Sequence, residues 1–373
     1  PTGVAALNVG GVTIHSLFTF SIGLLGEVEI ARHLNKRTRE ILRALDMLVI
    51  DEISMVSADL MDGIDRALRI ARGRKNEPFG GAQIVMFGDP YQLAPVPPRD
   101  PSEKNYIAEN YQSLWFFDAH VWRNSELERF ELSEIFRQSD DDFKEILNAI
   151  RDGSVTQAML DVLNKAGNRY PPHLDVIRLA TINETVNAVN HQRIELIETD
   201  PKIFKAVYSD GAAKAFGRAL PSETELTLKV GAQVMFIKND DASNNKTSNG
   251  SAIRRWVNGT IGRVVALPKS GLVVVDVDGE RLEVGPATWE KIRYEVEEGF
   301  NESTGEAKET LVPVTLAEFK QIPLRLAWAV TIHKSQGQTY DEVQIDMGRG
   351  AFTPGQTYVG LSRVRTLGGL YLT

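Results

Sequence analysis

At 373 residues the chain has room for more than one domain, and 42% hydrophobic against 25% charged residues is the balance of a folded protein with a real core. The absence of cysteine excludes disulfides and Cys-ligated zinc and is compatible with a reducing compartment. A net charge of −8 argues against coating nucleic acid by bulk charge but leaves a local basic groove open. The longest apolar runs, Met47-Leu48-Val49-Ile50 and Val273-Val274-Val275, are strand-sized and far short of the roughly 20 residues that span a bilayer, so no membrane segment is expected. The chain opens on Pro1-Thr2-Gly3 with no Met and no basic leader, which reads as a cut from something longer.

In chain order, Met47 to Ile50 predicts a buried strand that ends at Asp51-Glu52. Leu60, Ile64, Ala67, Leu68 and Ala71 recur at helical spacing over 59–72, and Gly73 supplies a stop. Ile84-Val85-Met86-Phe87 is a second buried strand, ending at Gly88-Asp89. A helix over 141–151 places Phe143, Ile146, Leu147 and Ile150 in the core and ends at Asp152-Gly153, near the start of a second α/β domain. Residues 239–258 turn polar and predict a mobile loop. Beyond them, Asn258-Gly259 and Asp278-Gly279 separate β-rich runs in the manner of hairpins in a small barrel, and 295–309 is another polar excursion. Strand–helix alternation with one β-rich interval predicts parallel α/β domains carrying a small β insert.

Four segments carry chemistry. Asp51-Glu52 at a strand's carboxyl end suits a nucleotide hydrolase, one carboxylate holding Mg²⁺ and the other orienting and deprotonating water; a solvated acid pair is the plain alternative. In Gly88-Asp89-Pro90-Tyr91-Gln92-Leu93, Gln92 is placed to sense a γ-phosphate or position water while Pro95 shapes the following loop, although Gly-Asp-Pro is also ordinary turn chemistry. The run from Thr331 to Thr339 clusters short donors, a cation and a glycine suited to a phosphate backbone; His333 by itself reads as a structural histidine. In Tyr358-Val359-Gly360-Leu361-Ser362-Arg363-Val364-Arg365, two arginines follow an apolar turn and are either γ-phosphate ligands or surface cations.

Taken in order, these blocks resemble the motifs of the Pif family of helicases, RecD-like members of superfamily one, over nearly the whole chain. Pro1 to Asn8 and Thr13 to Phe18 resemble motif Ia and its continuation, which implies DNA contacts at Thr2, Gly3, His15 and Phe18. Asp51 to Met55 is similar to the Walker B site, and Gly88 to Val96 to motif III, with Pro95 facing DNA. Pro78-Phe79-Gly80-Gly81 resembles the end of the signature segment that sets Pif-type motors apart. Arg137, in Ile135-Phe136-Arg137-Gln138, resembles the motif IV arginine. Thr331 to Thr339 resembles motif V, with Thr331, His333, Lys334 and Ser335 on DNA and Gly337 near nucleotide, and Arg363 falls at the arginine-finger position of motif VI.

The resemblance implies two RecA-like (P-loop NTPase) domains with parallel sheets: 1–135, N-terminally truncated with a short wedge insert at about 19–43, and 136–373, with an SH3-like β-barrel insert at about 257–321. It implies an ATP-dependent DNA helicase moving 5′ to 3′ on single-stranded DNA and resolving duplex junctions. In that reading Asp51 holds Mg²⁺, Glu52, Gln92, Arg137 and Arg363 act on ATP, and the protein works as a monomer in the cytoplasm of a bacterium, or in the nucleus or mitochondrion of a eukaryote.

Three features depart from the family pattern. No G-x-x-x-x-G-K-[ST] phosphate loop occurs in the sequence, so the chain alone is expected to bind ATP poorly and hydrolyse little or none. Motif III reads Leu93-Ala94-Pro95-Val96, with one proline where the family usually has two. The 239–258 loop looks longer than usual and ends with Arg254-Arg255-Trp256, which either stacks on bases or tucks Trp256 onto the β insert. Two rival readings are the helicase part of a conjugative relaxase and a single-strand-binding module that has lost ATPase activity. Retention of Asp51, Glu52, Gln92, Arg137 and Arg363 together favours truncation over decay.

Overall fold

The computed structural model describes residues 11–20, 25, 30–31, 34–98, 100–173, 175–210, 212, 216, 220–240, 255–300 and 307–373, with backbone alone over 292–300 and 307–313. The chain divides into two compact units, 1–132 with 290–316, and 133–289 with 317–373.

In the first unit, helix α1 (Ile14–Phe18) starts where the Thr13 hydroxyl accepts the Ser16 N–H, and α2 (Lys36–Ala44) starts where Asn35 accepts the Thr38 N–H. Strand β1 (Met47–Ile50) leads into a 3₁₀ turn (Ile53–Met55) and then α3 (Ala58–Arg72), which stops at Gly73 with φ 69°. A second 3₁₀ turn (Pro78–Gly81) feeds β2 (Gln83–Met86), parallel to β1 with Met47 opposite Gln83 and Ile50 opposite Met86. Helices α4 (Pro101–Asn110) and α5 (His120–Arg123) follow. The core joins Leu48, Ile50 and Ile53 to Met61, Ile64 and Leu68 of α3. Contrary to the sequence expectation, β1 is buried on one face only: Leu48 and Ile50 point into the core, while Met47 and Val49 are exposed. Successive strand side chains alternate between faces, and both faces must be covered before a strand reads as fully apolar.

The second unit holds α6 (Asp141–Asp152), which ends at Gly153 in a left-handed conformation, and α7 (Gln157–Gly167). Its parallel sheet has the order β14-β3-β15-β16, from β3 (Ile177–Ala180), β14 (Ala329–Thr331), β15 (Val343–Asp346) and β16 (Leu370–Leu372). Helix α8 (Asn183–Glu195) follows β3 and α9 (Gln356–Leu361) follows β15.

Between β3 and β14 the chain builds smaller sheets. β4 (Lys202–Lys205) pairs with β6 (Glu225–Leu228), and β11 (Ala287–Phe300), β12 (Ala307–Gln321) and β5 (Val207–Tyr208) form a three-stranded sheet. A five-stranded antiparallel sheet has the order β10-β9-β8-β7-β13: β7 (Gln233–Phe236), β8 (Ile261–Ala266), β9 (Val273–Val277), β10 (Glu280–Val284) and β13 (Leu324–Leu326). It therefore draws strands from both sides of the expected 257–321 interval. Asp278 and Gly279, both at positive φ, make the two-residue turn between β9 and β10, with Val277 opposite Glu280.

Of the Arg254-Arg255-Trp256 group, Arg254 lies outside the described residues. Trp256 is 7% exposed, stacked on Phe236 at 4.6 Å, and its indole N–H donates to the Lys238 carbonyl, so it is a core residue of the β sheet. Arg255 lies over its other side, 4.4 Å from the ring centre, with Nε and Nη2 both 2.9 Å from the buried Asp240 carboxylate. Of the two alternatives for Trp256, the packing matches the one that tucks it onto the β sheet.

Candidate nucleotide and nucleic-acid site

In the first unit the β1–β2 ladder continues past both strands. The Phe87 N–H donates to the Ile50 carbonyl and the Ile53 N–H donates to the Phe87 carbonyl, each at 2.9 Å. Asp51 and Glu52 fall between these two bonds, which fix where the carboxylates leave the sheet. Asp51 Oδ1 accepts the Glu52 N–H at 2.8 Å, and Glu52 sits at φ 52°, ψ 48°. A non-glycine residue held there costs about 1–3 kcal/mol, supplied here by the surrounding ladder. Gly88 completes the arrangement: a Cβ on it would lie 2.9 Å from both the backbone nitrogen and Cγ2 of Ile53, so only glycine lets the two segments approach. After it, Asp89 closes a turn, accepting the Tyr91 N–H at 3.0 Å and the Gln92 side-chain amide at 3.2 Å. Pro95, expected at a DNA surface, is buried; its neighbour Val96 is 75% exposed.

The Pro78–Gly81 segment is tied to α3. Asp65 accepts the Phe79 N–H at 2.6 Å while pairing with Arg69, and Arg72 donates to the carbonyls of Gly80 and Leu45. Phe79, Gly80 and Gly81 are all at positive φ, and a Cβ on Gly80 would meet the Leu68 carbonyl oxygen at 2.6 Å. In this structure the segment's visible work is to seat β2 beside β1. Of the residues expected near DNA, Thr2 and Gly3 lie outside the described residues. His15 is half-buried, with its imidazole pushed toward the neutral form chiefly by burial. Phe18, expected at DNA, is instead fully buried and stacks on Phe20 at 5.1 Å, where it packs α1 onto the core.

In the second unit Arg137 is half-buried and precedes the buried Gln138, whose side-chain N–H groups donate to the carbonyls of Ser362 at 2.9 Å and Val364 at 3.1 Å. The Ser139 N–H adds a bond to the Arg365 carbonyl. Arg137 and Arg363 are thereby built on one backbone template. Arg363 is 1% exposed; Nε donates to the Val359 carbonyl, Nη1 to the Gln338 carbonyl and Nη2 to the Ser362 hydroxyl. Gln138 carried no sequence signal beyond adjacency to Arg137.

The segment after β14 coils into a 3₁₀ turn (Ile332–Ser335). Two hydroxyls expected on a phosphate backbone are used internally: Thr331 is buried and accepts the Lys334 N–H, and Ser335 is buried and donates to the Ile332 carbonyl. His333 is half-buried, Lys334 and Gly337 are exposed, and Gly337 has φ 80°. Although its residue is exposed as a whole, the Lys334 ammonium is partly desolvated by its neighbours, which, with the Arg325 guanidinium second, lowers its pKa from the usual lysine range; Arg325 itself has a buried Nε with no hydrogen-bond partner.

Among the described residues no cluster of three or more His, Cys, Asp or Glu is arranged to hold a metal. A strand-end carboxylate such as Asp51 fits Mg²⁺, which keeps several waters and takes the rest of its oxygens from a nucleotide's phosphates.

A parallel sheet with paired carboxylates at its carboxyl edge, and a second sheet whose neighbouring loops hold two arginines on one template, define a RecA-like α/β motor. A profile of the family described as PIF1-like helicase matches residues 1–160. Over essentially its whole length the chain is 31% identical to the ATP-dependent DNA helicase Pif1 of Bdellovibrio bacteriovorus, 76% of which it covers. It is 33% identical to the ATP-dependent DNA helicase PIF1 of Xenopus laevis, of which it spans 53%. The crystal structure of Bacteroides sp. Pif1 in complex with ADP-AlF4 superposes with a TM-score of 0.83 at 35% identity, over 100% of this chain and 80% of that one. The chain belongs to the PIF1-like helicase family.

Proposed function

We propose that the protein containing this chain is an ATP-dependent DNA helicase that moves 5′ to 3′ on single-stranded DNA and opens duplex junctions. The observation that carries the reading is the ladder from Ile50 through Phe87 to Ile53, which presents Asp51-Glu52 beside the Gly88–Gln92 turn. Glu52 accepts the proton of the attacking water, Gln92 orients that water against the γ-phosphate, and Arg137 and Arg363 offset the charge that develops on it. Asp51 would hold Mg²⁺, which when bound neutralises phosphate charge. In the second unit the exposed Lys334 meets the strand's phosphates from the turn after β14, which Thr331 and Ser335 hold in shape through their hydroxyls, with half-buried His333 beside it; in the first unit His15 is the described candidate for a strand contact. The chain spans about half of the Xenopus laevis relative, and the activity proposed is that of the whole protein.

In the full-length protein, Glu52→Gln is expected to lower DNA-stimulated ATP turnover by about 10²–10⁴-fold, the range for loss of a general base, with single-stranded DNA affinity retained. Wild-type turnover in Glu52→Gln would remove Glu52 from the chemistry. The 373-residue chain, which contains no G-x-x-x-x-G-K-[ST] pattern, is expected to show no DNA-stimulated hydrolysis. Absence of turnover in the full-length protein as well would favour a pure binding module.

A further inference from the structure

The loop between β15 and α9 carries an aromatic residue that the reading above leaves without a task. Phe352 is 64% exposed, and its ring stacks on His333 with centroids 6.0 Å apart and planes 17° from parallel. A single exposed phenylalanine is ordinary on a protein surface. This one is held in place. Its N–H donates at 3.1 Å to Oε1 of Gln356, a residue with no exposed surface, and Gly348, Gly350 and Gly355 take positive φ to shape the loop around it. The loop leaves the carboxyl end of β15, and His333 follows the carboxyl end of β14, so both rings sit along one edge of the parallel sheet. Exposed Arg349 lies three residues before Phe352 in the same loop.

We propose that Phe352, backed by His333, is a stacking platform for one base of single-stranded nucleic acid, next to the backbone-contacting segment 331–335. Stacking on His333 leaves the rest of the Phe352 ring to solvent, and a base laid on it buries apolar area at no cost in sequence preference, because every base has a π-face. Burial lowers the His333 pKa and so favours the neutral imidazole, which backs the Phe352 ring as an aromatic. The arrangement gives the sheet edge two kinds of contact: Lys334 and Arg349 for phosphate, Phe352 for base. The proposal rests on the reading that 331–335 lies against the strand.

The test is fluorescence anisotropy of the full-length protein with an oligothymidylate and with an abasic strand of the same length, across a salt series. Phe352→Ala is expected to weaken oligothymidylate binding about 5- to 150-fold, the range for one base–aromatic stack, with the dependence on salt unchanged. Phe352→Trp is expected to bind like wild type, and on the abasic strand wild type and Phe352→Ala are expected to bind equally. Wild-type affinity in Phe352→Ala, or an equal loss on the abasic strand, would overturn the proposal. Lys334→Ala is expected to reduce the slope of log affinity against log salt by about 0.7. If Lys334→Ala leaves the slope and affinity intact while Phe352→Ala weakens thymidylate binding selectively, the base platform stands and the reading of 331–335 fails.

Discussion

Glu52 takes a left-handed backbone that a glutamate rarely adopts, and Gly88 leaves the space that lets the neighbouring loop come against Ile53. Both are visible in sequence only as letters at a strand end, because the strain and the close approach exist only once β1 and β2 pair. Phe18 and Pro95 show the opposite case: the motif resemblance put them at a DNA surface, and packing buried them. His15 and His333 both have their pKa lowered from 6.5, mainly by burial. The unfolded chain thus binds more protons than the folded one as pH falls through about 6.5, and stability is lost on acidification until the lowered folded values are passed. Melting temperature is expected to fall between pH 7.5 and pH 5.5, and the fall should shrink when both histidines are replaced by Gln. An unchanged slope in the double variant would assign the effect to other groups.

Elements built from local signals came out close to expectation. The helix expected over 59–72 is Ala58–Arg72 with Gly73 as its stop, and the one expected over 141–151 is Asp141–Asp152. Periodicity and capping chemistry suffice for these, since neighbouring residues supply the amphipathic face and the terminus. The β sheet of the second unit was harder to bound. β7 and β13 lie outside its β-rich interval and join it through pairing that no local pattern announces. Trp256 is the sharpest example: beside Arg255 it allows either base stacking or packing onto the β sheet, and against Phe236 it is a sheet-core residue. Trp256→Ala is accordingly expected to destabilise the protein by about 3–5 kcal/mol, measured by urea unfolding, with DNA affinity unchanged under conditions where the variant is folded. A selective loss of DNA affinity without loss of stability would restore the stacking role.

Across the whole molecule, the second unit is closed by a bond between residues 224 positions apart, Gln138 to the Ser362 carbonyl, with a second from the same amide to the Val364 carbonyl. The contact joins the start of that unit to the segment just after α9 and seats Arg137 and Arg363 on shared backbone. Gln138→Ala leaves two buried carbonyls unpaired, a cost of about 1–3 kcal/mol for each group. It is expected to lower ATP turnover in the full-length protein more than it raises KM, because the arginines act on the charge that develops during reaction. Gln138→Glu, which sets a carboxylate against two carbonyls, is expected to be the more damaging variant. Turnover equal to wild type in both variants, measured where they are folded, would confine Gln138 to a packing role. With a net charge of −8, strand binding would rest on local cations such as Lys334, not on the field of the whole surface.

Residue patterns along the chain were enough to read the α/β class, the strand ends that carry Asp51-Glu52 and Gly88-Asp89, the main helices, the absence of a phosphate-loop pattern and, through the order of the motifs, the family. Those features are local, set by periodicity, capping residues and short runs of chemistry. The burial of Phe18, Pro95 and Trp256, the bonds by which Gln138 ties the two arginine-bearing segments together, and the stacking of Phe352 on His333 at the sheet edge emerge from packing alone. Burial and pairing between distant residues depend on which strands meet in which register, and no window of neighbouring residues contains that information.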